Sequence, residues 1–239
     1  MLAALAAAAF SAARIGARAW FLTGESITQA ADPAILSIVS SSPLGNSLTL
    51  RLTGLALIAA VLLPGRAFAA IATFGALLAA ASFALRGHAL GEPRALLAAL
   101  YTVHILALGF WVGGLRPLHD LARAHPPTAA LLAAEFGRKA LVAVALLAAS
   151  GALVLLTLSG GAVTTTLWGR LILLKLLFFG GLMLLAAANK LWLTPALKAG
   201  HKHAPNRLRA SIRWEARIML AMLAVTAILT SIAGPSGEG

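Results

Sequence analysis

Two histidines in the N-terminal half of the sequence are placed where a metal ion could bind. His88 lies at the end of one apolar run, and His104 lies roughly 13 Å into the next, near the middle of a bilayer. Imidazole is a common ligand of transition metals, and an ionisable residue at that depth indicates a functional site. We therefore predict that His88 and His104 share a metal ion. The alternatives are a solvated His88 and a His104 that hydrogen-bonds to a neighbouring helix.

Four other residues are weaker candidates for metal binding. Met219 and Met222 are three residues apart in a predicted helix, and thioethers bind Cu(I), although methionine more often fills the core of such helices. His201 and His203 form an HxH pair, but the neighbouring Lys and Arg residues favour a solvated basic surface. The chain contains no cysteine, which excludes thiolate metal sites and disulfides.

Three charged residues, Arg170, Lys175 and Glu215, fall within or near predicted helix interiors. A buried charge needs a partner or a water-filled cavity, and we favour structural pairing. The basic residues available to Glu215 are Arg138, Arg213 and Arg217. The sequence has no phosphate-binding glycine loop, no HExxH motif and no nucleophile elbow, so we expect that the protein is not an enzyme.

These residues must be positioned by membrane helices. The chain has 239 residues, of which 60% are hydrophobic and 11% charged, and its mean hydropathy is +0.92. At about 20 residues per span, we predict an all-α, polytopic bundle of about seven transmembrane helices forming a single membrane domain over residues 1–239. The predicted spans are about 2–22, 48–64, 66–85, 95–116, 138–158, 167–190 and 211–233.

Basic residues set the expected orientation. Lys and Arg number 19 against 7 Asp and Glu, giving a net charge of +12. In a membrane protein this excess marks cytoplasmic connections rather than nucleic-acid binding, and the two most basic loops, 117–127 and 191–210, lie on one side. We predict a cytoplasmic N-terminus, a periplasmic C-terminus, and outer segments at 24–47, 86–94 and 159–166. Asp32-Pro33 predicts the start of a short interfacial helix.

The first helix is the least certain span. Arg14 and Arg18 lie in its second half, where each would be costly at the bilayer centre unless it snorkels to the surface. It therefore either crosses the membrane or lies at the interface. A cleavable signal peptide over residues 1–20 is the alternative, although the apolar start argues against it.

Several segments, taken in order, resemble the copper resistance protein D family from about residue 32 to 231. The helix at 104–115, HILALGFWVGGL, is similar to that family's H-L-L-A-x-x-x-W-x-G-G-L pattern. The other similar segments are Gly87-His88-Ala89, EFGRKAL at 135–141 followed by Ser150-Gly151, WGRLILLK at 168–175, Asn189-Lys190 with Thr194-Pro195, and Trp214-Glu215 with Leu229-Thr230-Ser231.

The resemblance implies a bacterial inner-membrane protein that moves copper from a periplasmic carrier toward the cytoplasm. It implies His88 and His104 as copper ligands, and Trp111, Gly113 and Gly114 as a packing signature. We therefore predict a copper transporter. Two alternatives stay open, a membrane redox protein that binds haem b through paired histidines and a subunit that assists assembly of a copper enzyme. The oligomeric state, the transport direction and the copper oxidation state are left open.

Overall fold

A computed structural model shows an all-helical protein over the residues it describes, which confirms the predicted fold class. The structure describes residues 2–24, 26–85, 87–158 and 166–231, with the side chains of residues 5–24, 26–85, 89–158 and 166–230. The α-helices are α1 (Leu2–Leu22), α2 (Ile27–Ala30), α3 (Pro33–Ser41), α4 (Pro43–Ile58), α5 (Arg66–Ala81), α6 (Arg94–Ala124), α7 (Pro126–Leu158), α8 (Leu167–Ala188), α9 (Thr194–Lys198) and α10 (Ala204–Ser231). Short 3₁₀ turns at Ala59–Leu62, Ser82–Leu85 and Gly87–Leu90 and a π turn at Asn189–Leu193 complete the described elements.

Five helical segments of the described residues are long and apolar enough to cross a membrane. They indicate a multi-pass membrane protein, but they do not confirm the predicted count of about seven, because α1 and α10 are not among them. The five segments are Pro43–Leu62, Arg66–Leu85, Arg94–Ala124, Pro126–Leu158 and Leu167–Lys198.

The chain divides into two compact units, residues 1–106 and 107–239. In the first unit, α4 and α5 pack with their backbones in contact at a glycine pair. A Cβ atom on Gly54 would lie 2.5 Å from the carbonyl oxygen of Gly75, and a Cβ on Gly75 would lie 2.6 Å from that of Gly54. Small residues allow such close approach of helices in lipid. The prediction of a single membrane domain stays a prediction.

A polar contact accompanies this glycine pair. The Ser47 hydroxyl donates a hydrogen bond of 2.6 Å to the carbonyl of Ser82, and Arg51 Nε donates one of 3.0 Å to the Ser82 hydroxyl. The Arg51 guanidinium also lies 3.9 Å from the centre of the Phe83 ring. The Ser82 hydroxyl and the face of the Phe83 ring therefore stabilise the charge of Arg51 within the first unit.

The segment after α1 contains the predicted short helix. Asp32 caps α3, its carboxylate accepting a 2.7 Å hydrogen bond from the backbone N–H of Ala34, and Pro33 occupies the first helical position. A proline there loses no intrahelical hydrogen bond. The helix start predicted from Asp32-Pro33 is confirmed.

The larger hydrophobic core of the second unit takes residues from α6, α7, α8, α9 and α10, and a smaller cluster forms around Trp168 and Leu229. The predicted loop at 117–127 is wrong, because α6 continues through Pro117 to Ala124 and α7 begins at Pro126. Leu115, Leu118 and Ala122 lie on one face of α6 and are buried in the core. Their burial offsets the loss of one backbone hydrogen bond at the proline.

Between α8 and α9 the helix widens into a π turn. The backbone N–H of Thr194 donates to the carbonyl of Asn189, five residues back, as a π-helical turn requires. Pro195 follows at once and has no N–H to donate. After α9, Gly200 has φ of 72°, and the N–H groups of Gly200 and His201 bond back to Leu197 and Ala196, which ends the helix in a Schellman motif.

Candidate functional site

A buried carboxylate lies in the core of the second unit. Glu215 of α10 is only 2% exposed, on the face that also carries Leu208, Ile212 and Met219. These residues repeat every three or four positions, so they form one stripe on the helix. An acidic side chain inside such an apolar stripe is costly unless its oxygens are hydrogen-bonded.

Two side chains from other helices donate to Glu215. Trp111 Nε1 donates a hydrogen bond of 3.2 Å to Oε2, and Asn189 Nδ2 donates to Oε1. Each carboxylate oxygen therefore has one donor, and both donors are neutral. The site joins α6, the π turn and α10 through a single carboxylate.

Trp111 is positioned by the packing of α6. It is 2% exposed and lies one turn after Ala107 and one turn before Leu115 on the buried stripe. Nearby, a Cβ on Gly114 would collide with the Phe136 ring, which stacks on Phe110 with the ring centroids 5.5 Å apart. Gly114 is thus needed for close contact between α6 and α7, whereas Gly113 faces open space.

Asn189 is positioned by the π turn that it begins. Its amide nitrogen reaches Glu215, while its carbonyl oxygen Oδ1 is buried and accepts no hydrogen bond from the described residues. An unsatisfied buried acceptor is unusual in a folded protein. The cluster therefore has an acceptor left over, which a hydrogen-bond donor or a cation would satisfy.

The predicted ion pair of Glu215 with a basic residue is not formed among the described side chains. Arg138, Arg213 and Arg217 are all exposed, and the Arg217 guanidinium lies 4.8 Å from the centre of the Trp214 ring. An ion pair with Glu215 would require burial of an arginine, and the cost of removing its charge from solvent can exceed the attraction gained. The partners of Glu215 are therefore the neutral donors Trp111 and Asn189, rather than the basic residue that we predicted from the sequence.

The other two charges of the predicted helix interiors lie elsewhere. Arg170 is exposed and Lys175 is half-buried on α8. In the part of the chain that the structure describes, the ion pairs are Arg116–Asp120 and Lys139–Glu135, with His119 also against Asp120, so neither Arg170 nor Lys175 is in one.

The predicted histidine ligands fall in the first unit. His104 is half-buried on α6, ten residues after the helix begins at Arg94, and its depth in the bilayer stays a prediction. The backbone of His88 lies in the 3₁₀ turn Gly87–Leu90, but its side chain is outside the described residues. A shared metal site at His88 and His104 stays a prediction. His201 and His203 are exposed in the link between α9 and α10.

The predicted methionines lie beside the carboxylate on α10. Met219 is one turn beyond Glu215 and 5% exposed, and Met222, two turns beyond, packs against the same core. Met183 of α8 packs there as well. No three His, Cys, Asp or Glu residues come together as a metal cluster in the described part of the chain.

Sequence reasoning missed Asn189 as a site residue. The signal was available, because Asn189 and Pro195 both belong to a segment similar to the copper resistance family. A proline inside a continuous helix predicts a local break in the hydrogen-bond ladder, and π turns occur frequently at functional sites.

The fold and the buried carboxylate describe an all-helical, multi-pass membrane protein with a polar centre inside its second unit. Residues 130–229 match the model of a family described as Copper resistance protein D. The match confirms the predicted resemblance over residues 130–229 of the expected range 32–231. It contains Asn189, Glu215 and Met219, while His88, His104 and Trp111 precede it. No curated protein and no solved structure matches the chain.

Proposed function

We propose that this protein moves copper across the bacterial inner membrane, from the periplasm toward the cytoplasm. The observation that carries the proposal is the match of residues 130–229 to Copper resistance protein D. The buried carboxylate supports it, because polar groups inside membrane helices line substrate and ion pathways. A periplasmic copper carrier is the proposed donor.

The proposed copper ligands are of two kinds. His88 at the outer end and His104 deeper in α6 supply imidazoles, and Met219 and Met222 supply thioethers beside Glu215 in the second unit. Imidazole accepts copper in either oxidation state, and thioether favours Cu(I). All are moderate ligands compared with thiolate, which suits an ion that must be released.

The proposed topology adds α1 and α10 to the five apolar segments, giving seven spans. With a cytoplasmic N-terminus, the basic link at 199–203 faces the cytoplasm and the turn that carries His88 faces the periplasm. The basic residues around α9 and the start of α10 support this orientation.

The test compares His104→Ala with His203→Ala, a matched control because His203 is exposed. Copper accumulation by cells is measured by mass spectrometry, and copper stoichiometry is measured on protein purified in mild detergent. We expect His104→Ala to lose uptake and bound copper, whereas His203→Ala keeps both. His88→Ala should lower uptake but be partly rescued by raised external copper, since an outer site acts through occupancy.

Two outcomes would overturn the proposal. Full uptake and full copper stoichiometry in His104→Ala would make this histidine a packing residue. A Soret band in the purified protein that His104→Ala removes would replace copper with haem b, the alternative that the family match does not favour.

A further inference from the structure

A cavity of about 220 Å³ lies between α7 and the π turn with α9. It is an open cavity, and its wall combines two exposed lysines with small apolar side chains. The lining residues are Ala133, Ala134, Lys190, Thr194, Pro195 and Lys198.

The π turn places both lysines on this cavity. Four residues separate Lys190 from Thr194, and four more separate Thr194 from Lys198. A step of four residues rotates the side chain about 40° beyond a full turn in an α-helix and by less than a full turn in a π-helix. One interval lies in the π turn and the next in α9, so the two deviations have opposite sign and nearly cancel. The three side chains therefore lie in one row along the cavity.

The positive charge of the two lysines is not neutralised by described residues. Neither Lys190 nor Lys198 forms an ion pair there, and the nearby Glu135 is bound to Lys139 at 2.7 Å. Other cations surround this end of the second unit, among them Arg138 and Lys202. An anion at the cavity would lie beside two lysines that no described carboxylate neutralises.

We propose that this cavity binds the phosphate of an anionic phospholipid. Lysine is a common phosphate ligand, and basic pockets between membrane helices bind anionic lipid headgroups. The small apolar wall of Ala133 and Ala134 suits the glycerol and upper acyl carbons rather than a hydrated soluble anion. Trp192, 70% exposed in the same turn, is the residue type that lies at the level of lipid headgroups.

The experiment uses the full chain purified in mild detergent and measures binding of phosphatidylglycerol and phosphatidylcholine by native mass spectrometry. We expect the protein to retain phosphatidylglycerol preferentially. Lys190→Gln and Lys198→Gln should each weaken it about fivefold, and the pair about 25-fold. Ala134→Leu should reduce binding without changing the charge, because the added side chain fills the cavity.

The matched control is Arg207→Gln with Arg213→Gln, two exposed basic residues of α10, which removes the same charge from the same unit outside the cavity and should leave binding within about twofold. Equal losses in both pairs would show attraction to surface charge and overturn the site. Unchanged binding in the Lys190 and Lys198 pair would overturn it too. If millimolar inorganic phosphate displaces the lipid, the site is for a soluble anion and the lipid assignment is wrong.

Discussion

Replacing Glu215 with glutamine tests whether the buried carboxylate holds the second unit together. The glutamine side chain has the same shape but only one acceptor oxygen, and its amide turns two hydrogen atoms toward one of the existing donors. Either Trp111 or Asn189 then loses its acceptor. A buried donor without a partner costs about 1–3 kcal/mol, so we expect the free energy of unfolding to fall by that amount.

The matched control is Glu135→Gln, the same substitution in the same unit. Glu135 is about half exposed and pairs with Lys139 four residues later, and such surface pairs contribute little to stability. Unfolding is followed by circular dichroism as SDS is titrated into detergent micelles. The variant at Glu215 should unfold at clearly lower SDS than the variant at Glu135.

A double-mutant cycle with Trp111→Phe isolates the bond itself. Phenylalanine keeps most of the aromatic packing and removes the donor, so the two substitutions should be coupled by about 0.5–3 kcal/mol. Losses for Glu215→Gln and Glu135→Gln that agree within about 0.5 kcal/mol, with no coupling to Trp111, would refute a stabilising role for the buried hydrogen bonds. Normal stability with lost copper uptake would instead assign Glu215 to transport.

Two further predictions concern packing and topology. Gly114→Ala should lower the free energy of unfolding by about 1–3 kcal/mol, because the added methyl group would collide with Phe136. The neighbouring Gly113→Ala should raise it by about 0.5–1 kcal/mol, because alanine favours helix. The same SDS titration checks both variants, and the reverse order of stability would contradict the packing. Reporter fusions at Ala89 and Ala199 should report periplasm and cytoplasm respectively, and fusions on one side, or reversed, would overturn the orientation.

Runs of apolar residues predicted the helices well where composition alone determines the helix limits. The limits of α1 agree with the prediction, and Asp32-Pro33 marked the start of α3, because capping acts between neighbours in the chain. The continuation of α6 past Pro117 could not be predicted in this way. It depends on core partners of Leu118 that come from other helices, and tertiary packing overrides local preference.

The hydrogen-bond donors of Glu215 could not be predicted from the sequence, for a similar reason. Its donors, Trp111 and Asn189, are 104 and 26 residues away, and no periodicity links them. Basic residues were close in sequence, so an ion pair was the natural expectation. On a helix, however, neighbours such as Arg213 and Arg217 point to other faces than Glu215 does, and the partners of a buried residue come from the helices opposite.

The π turn lets this stretch of helix hold one residue more than a regular α-helix would. In a regular α-helix, each added residue rotates everything beyond it by about 100°, but the wider turn at Asn189–Leu193 takes up the extra residue. Deleting one residue between Leu191 and Leu193 would therefore let the segment close into a regular α-helix, with α9 keeping nearly the same side toward α7 and α10. A deletion within α8, where no wider turn absorbs it, would rotate α9 by about 100°. The segment after Lys190 should therefore tolerate the loss of one residue, whereas α8 should not.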